Sequence, residues 1–107
     1  MAYTDFLKTQ CYIDGQWVSA DSGATFEVTD PGSGQVIGTV PKAGAVETAR
    51  AIDAAEAALP AWRAKTAGER AKLMRKLFDL MIEHQDDLGE LLSREQGKPF
   101  AEGKGEI

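Results

Sequence analysis

The chain has 107 residues, of which 43% are hydrophobic and 27% are charged, and its formal net charge is −5 at neutral pH. These proportions are those of an ordinary globular protein and exclude wholesale disorder. The acidic balance argues against a nucleic-acid partner, and no apolar run approaches the roughly 20 residues that span a bilayer.

The amino terminus and the cysteine content indicate where such a protein resides. Residues 1–5 have neither the basic region nor the apolar run of a secretory signal. Cys11 is the only cysteine, so no intrachain disulfide and no cysteine metal cluster can form. We therefore expect a cytoplasmic protein with no membrane partner.

The first predicted element is a short β-hairpin. Residues 11–13 and 16–18 flank Asp14 and Gly15, a dipeptide that tolerates the positive φ angles of a type I′ turn. A second hairpin is expected from strands at 25–29 and 35–40, which the turn-forming residues between them connect. Pro41 lacks a backbone N–H and is expected to end that second hairpin.

From residue 44 the spacing of apolar residues becomes that of a helix. The predicted apolar stripe of this helix consists of Ala45, Ala49, Ile52, Ala55, Leu59 and Trp62. Pro60 cannot continue a helix without the loss of a backbone hydrogen bond. We therefore predict a break at Pro60 and a short turn that carries Trp62.

A second helix is predicted to start after Thr66, because Thr66 and Glu69 have the spacing of a capping box. It should run to about His84. Its apolar residues cover a face wide enough to need neighbours on two sides, and they are Leu73, Met74, Leu77, Phe78, Leu80, Met81 and Ile82.

Two further helices complete the predicted order. Asp86 and Asp87 suit the positive end of a third helix, and Gly97 suits the left-handed residue that ends it. Pro99 is expected as the first residue of a fourth helix, which runs to Ile107 without a capping residue. We interpret that ending as a truncation.

The residues that could carry chemistry have simpler structural interpretations. Cys11 is the only thiol and His84 the only imidazole. A pair formed by folding is conceivable, but packing suits the cysteine better and a capping or packing role suits the histidine better. We predict no catalytic residue in this chain.

Phosphate loops and acid–base pairs are equally unconvincing. The glycines at 32–34 lie in a hairpin turn, and Gly97-Lys98 lacks the Ser or Thr and the upstream glycine of a phosphate loop. The acidic pairs are interpreted as solvated helix faces, and they are Asp86 with Asp87 and Glu102 with Glu106. We predict no cofactor-binding residue in this chain.

Six short segments, in order, carry a resemblance to a known family: 12–17, 29–31, 51–55, 60–63, 66–70 and 95–99. Over residues 10–107 the sequence resembles the amino terminus of the aldehyde dehydrogenase superfamily. Segments 59–63, 83–88 and 105–107 make it most similar to NAD(P)-dependent succinate-semialdehyde dehydrogenases, although glutarate-semialdehyde enzymes share them. Gly103 departs from the usual alanine, which would cost an exposed helix about 1 kcal/mol.

The resemblance implies a fold class. It is an α+β segment, with β-hairpins at about 10–41 and three to four α-helices at about 44–107, that belongs to the α/β Rossmann-like cofactor-binding domain of an aldehyde dehydrogenase. Residues 1–107 would be the truncated amino-terminal part of that domain.

The resemblance also implies a reaction, the NAD- or NADP-dependent oxidation of a semialdehyde, succinate semialdehyde, to the carboxylate in a homo-oligomer. In that family a cysteine thiolate attacks the aldehyde, hydride passes to the nicotinamide, and water hydrolyses the thioester. Cys11 does not match the motif of that nucleophile. This segment alone is therefore expected to be inactive.

One site is carried over from the family. In several members a structural monovalent cation is held by backbone carbonyls near the second hairpin and by the acidic residue two before Gly-Lys. The corresponding residues here are Val28, Thr29 and Glu95, and oxygen ligands suit a hard cation. The alternative is that Glu95 is a surface residue or a hydrogen-bond partner at the helix end.

Two other interpretations stay open at this point. One is a free-standing, non-catalytic interaction module with the hairpins as its cap, which should finish on a capping residue or a polar tail. The other is a different superfamily member that acts on a betaine or aliphatic aldehyde.

Overall fold

The computed structural model describes residues 2–107, and its elements follow the predicted order of two antiparallel hairpins and then four α-helices. The strands are β1 (Cys11–Ile13), β2 (Gln16–Val18), β3 (Thr25–Thr29) and β4 (Val36–Pro41). The helices are α1 (Ala45–Ala64), α2 (Ala67–Glu83), α3 (Gln85–Gln96) and α4 (Phe100–Gly105). The predicted α+β fold class is confirmed. Across the described residues no helix is both long and apolar enough to cross a bilayer.

The hairpins are two separate two-stranded sheets. Asp14 and Gly15 have φ angles of 52° and 75°, as a type I′ turn requires. In the second hairpin Val28 pairs with Gly38 but Thr29 pairs with Val36, so that β4 contributes one extra residue. Such a bulge bends the strand and interrupts the regular ladder.

Helix α1 runs through Pro60, so the predicted break and turn there are wrong. The proline removes the hydrogen bond that its own N–H would make to the carbonyl of Glu56. Glu56 lies on an exposed part of the helix, where water can satisfy that carbonyl. The helix ends instead before Lys65, whose backbone is extended.

The face of α1 that approaches the first hairpin shares only Ala55 with the predicted stripe. Ala51, Ala54, Ala55 and Ala58 line a groove against residues 12–15. Ile52 and Leu59, which belong to the predicted stripe, are 61% and 51% exposed. Small side chains let the helix lie close to the hairpin, and the large ones point elsewhere.

The capping box at the start of α2 is confirmed. The hydroxyl of Thr66 accepts the N–H of Glu69 at 3.2 Å, and the N–H of Thr66 donates to the Glu69 carboxylate at 2.8 Å. The seven apolar residues of this helix, which we call the α2 face, are each between 37% and 57% exposed. The neighbours that the sequence requires are therefore missing from this chain.

The whole chain is correspondingly open. It exposes 7639 Å² of solvent-accessible surface, whereas a compact monomer of the same mass would expose about 5,800 Å². Its radius of gyration is 16.6 Å, against about 13 Å for a compact domain of this length. Among the described residues Ala20, 6% exposed, is the only buried hydrophobic one, and no side chain is fully buried.

Helices α3 and α4 form the tightest contact. A Cβ added at Gly89 would lie 2.8 Å from the Cα of Lys104, and one added at Gly103 would lie 2.5 Å from the Ser93 hydroxyl. Gly103 is therefore buried in a close helix crossing. The prediction treated it as a residue of an exposed helix, and that is wrong. Pro99 was predicted as the first residue of α4. It is instead the N-cap, and the helix begins at Phe100.

Candidate functional site

The predicted cation site draws its residues from the ends of two elements. Thr29 is the last residue of β3, and Glu95 is the last but one of α3. Gly97, with φ 75°, ends α3 as predicted and packs on Pro31: a Cβ added to it would lie 2.8 Å from that ring. The chain thus brings the carboxyl ends of β3 and α3 next to each other.

Three features describe this meeting point. The bulge falls between Val28 and Thr29, where the β3–β4 ladder is irregular. Glu95 is exposed and makes no ion pair with any described residue. Within residues 2–107 no group of three or more His, Cys, Asp or Glu side chains converges on a metal position. A cation here would depend on backbone oxygens.

Asp30 organises the turn that follows β3. Its carboxylate accepts the N–H groups of Gly32 at 2.7 Å and Ser33 at 3.3 Å. Its carbonyl accepts the N–H of Gly34 at 2.7 Å. These bonds fix the end of β3 where it meets α3, because an Asp side chain that bonds its own turn restricts the backbone.

An open cleft of about 500 Å³ lies beside this turn and is lined by Asp30, Glu90, Ser93, Arg94 and Phe100. Arg94 pairs with Glu90 at 2.8 Å and stacks on the ring of Tyr3 at 4.5 Å. The hydrogen bond to Glu90 is the largest cause that raises the pKa of Arg94, so its guanidinium stays cationic. Sequence reasoning missed the cleft because its walls come from separate elements.

The structure gives the thiol and the imidazole different neighbours. Cys11 lies in a groove beneath α1, together with Glu47 and Ala51. His84 joins α2 to α3, and its ring packs on Phe6 with 5.0 Å between ring centroids. The two side chains are not brought together as a nucleophile and base.

One acidic residue of each predicted pair has a structural partner. Asp86 forms an ion pair with Lys104 at 2.7 Å, and Glu106 forms one with Lys98. The first pair joins α3 to the carboxyl-terminal part of α4, and the second joins Lys98, between the two helices, to the residue that follows α4. Each pair therefore stabilises the α3–α4 contact in which it lies.

A dinucleotide site of the Rossmann type needs parallel strands and a glycine loop that opens a helix. In the described part of the chain the strands pair only as antiparallel hairpins, and Gly34 lies in a hairpin turn. Gly97 ends a helix instead of opening one. The residues present do not fit a nicotinamide cofactor, and we place no step of its chemistry on them.

Comparison with known proteins gives consistent results. The family model described as "Aldehyde dehydrogenase family" matches residues 17–107. A glutarate-semialdehyde dehydrogenase of Pseudomonas aeruginosa is 62% identical over 101 residues, which are 94% of this chain and 21% of that protein. The NADP⁺-dependent succinate-semialdehyde dehydrogenase of Escherichia coli is 55% identical over 104 residues, which are 97% of this chain and 22% of that protein.

Solved structures agree with the fold. A succinate-semialdehyde dehydrogenase from Burkholderia pseudomallei superposes with a TM-score of 0.92 at 60% identity, over 95% of this chain and 21% of that one. An NADP-dependent enzyme from E. coli gives 0.93 at 54% identity, over 96% of this chain and 21% of that one. The chain spans about a fifth of the length of the curated relatives that it matches.

Proposed function

The chain belongs to the aldehyde dehydrogenase family, and from that premise we propose that it is the amino-terminal part of the cofactor-binding domain of an NAD(P)-dependent semialdehyde dehydrogenase. The supporting observation is its identity of 62% and 55% with enzymes named for glutarate and succinate semialdehyde. Both substrates carry an aldehyde at one end and a carboxylate at the other. The reaction oxidises the aldehyde to a second carboxylate.

The two substrates are supported by different relatives. Succinate semialdehyde is supported by the Burkholderia enzyme at 60% identity, and glutarate semialdehyde by the Pseudomonas enzyme at 62%. So small a difference in identity does not rank the two substrates. They differ by one methylene, and one methylene in an apolar pocket changes the relative transition-state binding of two substrates by only about 1–3 kcal/mol. Both substrates belong in the assay.

The contribution of this chain to such an enzyme is structural. The α2 face and the large residues of α1 would be covered by the rest of the domain, since each is exposed here. The α3–α4 crossing and the Gly97–Pro31 contact would hold the helical layer against the second hairpin. No residue of this chain is placed at the reacting atoms.

A chimaera tests this proposal. We expect that this chain, in place of the corresponding segment of the E. coli succinate-semialdehyde dehydrogenase, leaves kcat/KM for succinate semialdehyde and NADP within about tenfold, or about 1.4 kcal/mol, of the parent. The reason is that the replaced segment has the same family fold and the recipient keeps every reacting group. Initial rates with both semialdehydes are the measurement.

The isolated 107-residue chain is the control and should oxidise neither substrate. A folded chimaera that lost activity by more than a thousandfold would contradict the proposal. So would activity of the isolated chain that Cys11→Ser abolished.

We also propose that the assembled enzyme binds a monovalent cation through the carbonyls of Val28 and Thr29 and the carboxylate of Glu95. The approach of Gly97 to Pro31 and the interrupted ladder at the bulge support it. Such an ion would join the hairpin to the helical layer. Further oxygen ligands would have to come from outside these residues, because hard cations prefer six or more.

The ion should stabilise the folded state. At fixed ionic strength, potassium or sodium is expected to raise the Tm of the chimaera relative to a large organic cation, and Glu95→Gln should blunt the rise. An ion present at about 100 times its Kd contributes about 2.7 kcal/mol. Glu102→Gln, which removes an exposed acid on α4, is the control. Identical melting curves in all three salts would eliminate the site.

A further inference from the structure

The amino-terminal arm, residues 2–8, lies outside the part of the chain that the family model matches, which starts at residue 17. It has a shape of its own. Tyr3–Asp5 form a 3-10 turn, and the carboxylate of Asp5 accepts the N–H of Ala2 at 2.7 Å. The Lys8 ammonium donates to the Asp5 carbonyl at 3.0 Å. The arm is therefore ordered by its own residues.

The hydrogen bonds of the arm stay within it. Its backbone bonds join Asp5 to Ala2, Phe6 to Tyr3 and Leu7 to Thr4. Across residues 2–107 no hydrogen bond joins the arm to a strand or to another helix. A segment of this kind can leave the body of the protein without stranding backbone donors, so its opening is less costly than that of a strand or a helix.

Side chains attach the arm to four parts of the fold, and one of these contacts is the Lys8 ammonium over the Trp17 ring in β2, 5.7 Å from the ring centroid. Tyr3 lies beneath the guanidinium of Arg94 at 4.5 Å, and Phe6 packs on His84 at 5.0 Å. Leu7 lies 3.4 Å from the position of a Cβ at Gly38, in β4. Phe6 also fills one wall of an apolar groove whose other residues are Leu80, Met81, His84 and Leu88. The arm thus spans from the α2–α3 junction to both hairpins.

Arg94 connects the arm to the cleft. One side of its guanidinium covers Tyr3, and the same side chain lines the cleft with Asp30 and Glu90. If Tyr3 leaves, Arg94 keeps its 2.8 Å bond to Glu90 but loses the ring that restricts its motion. The position of the arm therefore sets the freedom of a charged group in the cleft wall.

We propose that the amino-terminal arm is a detachable strap. Docked, it supplies one wall of the groove at the α2–α3 junction and holds the Tyr3 ring against Arg94. Released, it removes that wall, which adjoins Leu80 and Met81 of the α2 face, and frees Arg94. Opening is local: the rest of the fold keeps its hydrogen bonds.

Native-state hydrogen exchange of the chimaera, read by mass spectrometry, tests the strap, because the isolated chain is expected to associate through the α2 face. The arm amides should be protected but should exchange through local opening, at a rate that low denaturant does not change, while α3 stays more protected. Arg94→Gln is expected to raise arm exchange about two- to fivefold, the effect of one exposed cation–π contact. Phe6→Ala should raise it about tenfold or more, because the arm loses its packing on the His84 ring and its contact with the groove.

Arg75→Gln is the matched control, since Arg75 makes the same kind of stack on Phe78, at 4.7 Å, within α2. It should leave arm exchange unchanged. Three results would overturn the strap: arm amides without protection in the unmodified chimaera, arm exchange that follows global unfolding, or equal effects of Arg94→Gln and Arg75→Gln.

Discussion

Gly89→Val is expected to lower the free energy of unfolding by about 3 kcal/mol and to separate α3 from α4. A Cβ at this position would lie 2.8 Å from the Cα and 3.0 Å from the backbone N of Lys104. Backbone atoms cannot rotate away as a side chain can, so one helix must shift. The shift also weakens the hydrogen bond from the Gln85 amide to the Lys104 carbonyl, which is 3.0 Å long. Urea unfolding followed by circular dichroism at 222 nm measures the change.

Two other glycines, both in α4, give comparisons with Gly89 of α3. Gly105→Ala meets nothing within 4 Å and should stabilise the helix by up to about 1 kcal/mol. Gly103→Ala should fall between, because the Ser93 hydroxyl at 2.5 Å can rotate but the Gly89 carbonyl at 2.8 Å cannot. Equal unfolding midpoints for Gly89→Val and Gly105→Ala would show that the helices do not cross as closely as the structure indicates.

The second large effect concerns association. The isolated chain should form oligomers through the α2 face, and Leu77→Glu should return it to monomer. A stable interface removes about 800 Å² from each partner, and the chain exposes 7639 Å² where a compact monomer would expose about 5,800 Å². Leu77 is central on the face and 51% exposed. A buried carboxylate there would have no partner.

Sedimentation velocity at several concentrations is the measurement. Lys72→Gln is the control, because it changes the net charge of α2 by the same amount as Leu77→Glu but lies away from the face. A concentration-independent monomer that bound no hydrophobic dye would contradict the prediction and favour the free-standing module. In the proposed enzyme the same face is covered, so a chimaera should not associate through it.

The cation site is the one functional site that could be predicted from the sequence, and the prediction came from the family resemblance. Val28 and Thr29 would act through backbone carbonyls, which leave no trace in residue type. Only the folded chain shows that β3 and α3 end side by side, through the contact of Pro31 with Gly97. The cleft at Arg94 had no such signal, because its other wall is Asp30, which only the folded chain brings to residues 90–100.

The sequence by itself determined the features that a few neighbouring residues control. Asp14 and Gly15 set a turn through their φ angles, and Thr66 and Glu69 cap a helix through hydrogen bonds three residues apart. Only the tertiary structure decided the features that depend on distant partners. Pro60 stays helical because its turn faces water, and Gly103 is required because α3 lies against it. Propensity describes a residue in isolation, whereas the free energy of a proline or a glycine depends on the surface that it meets.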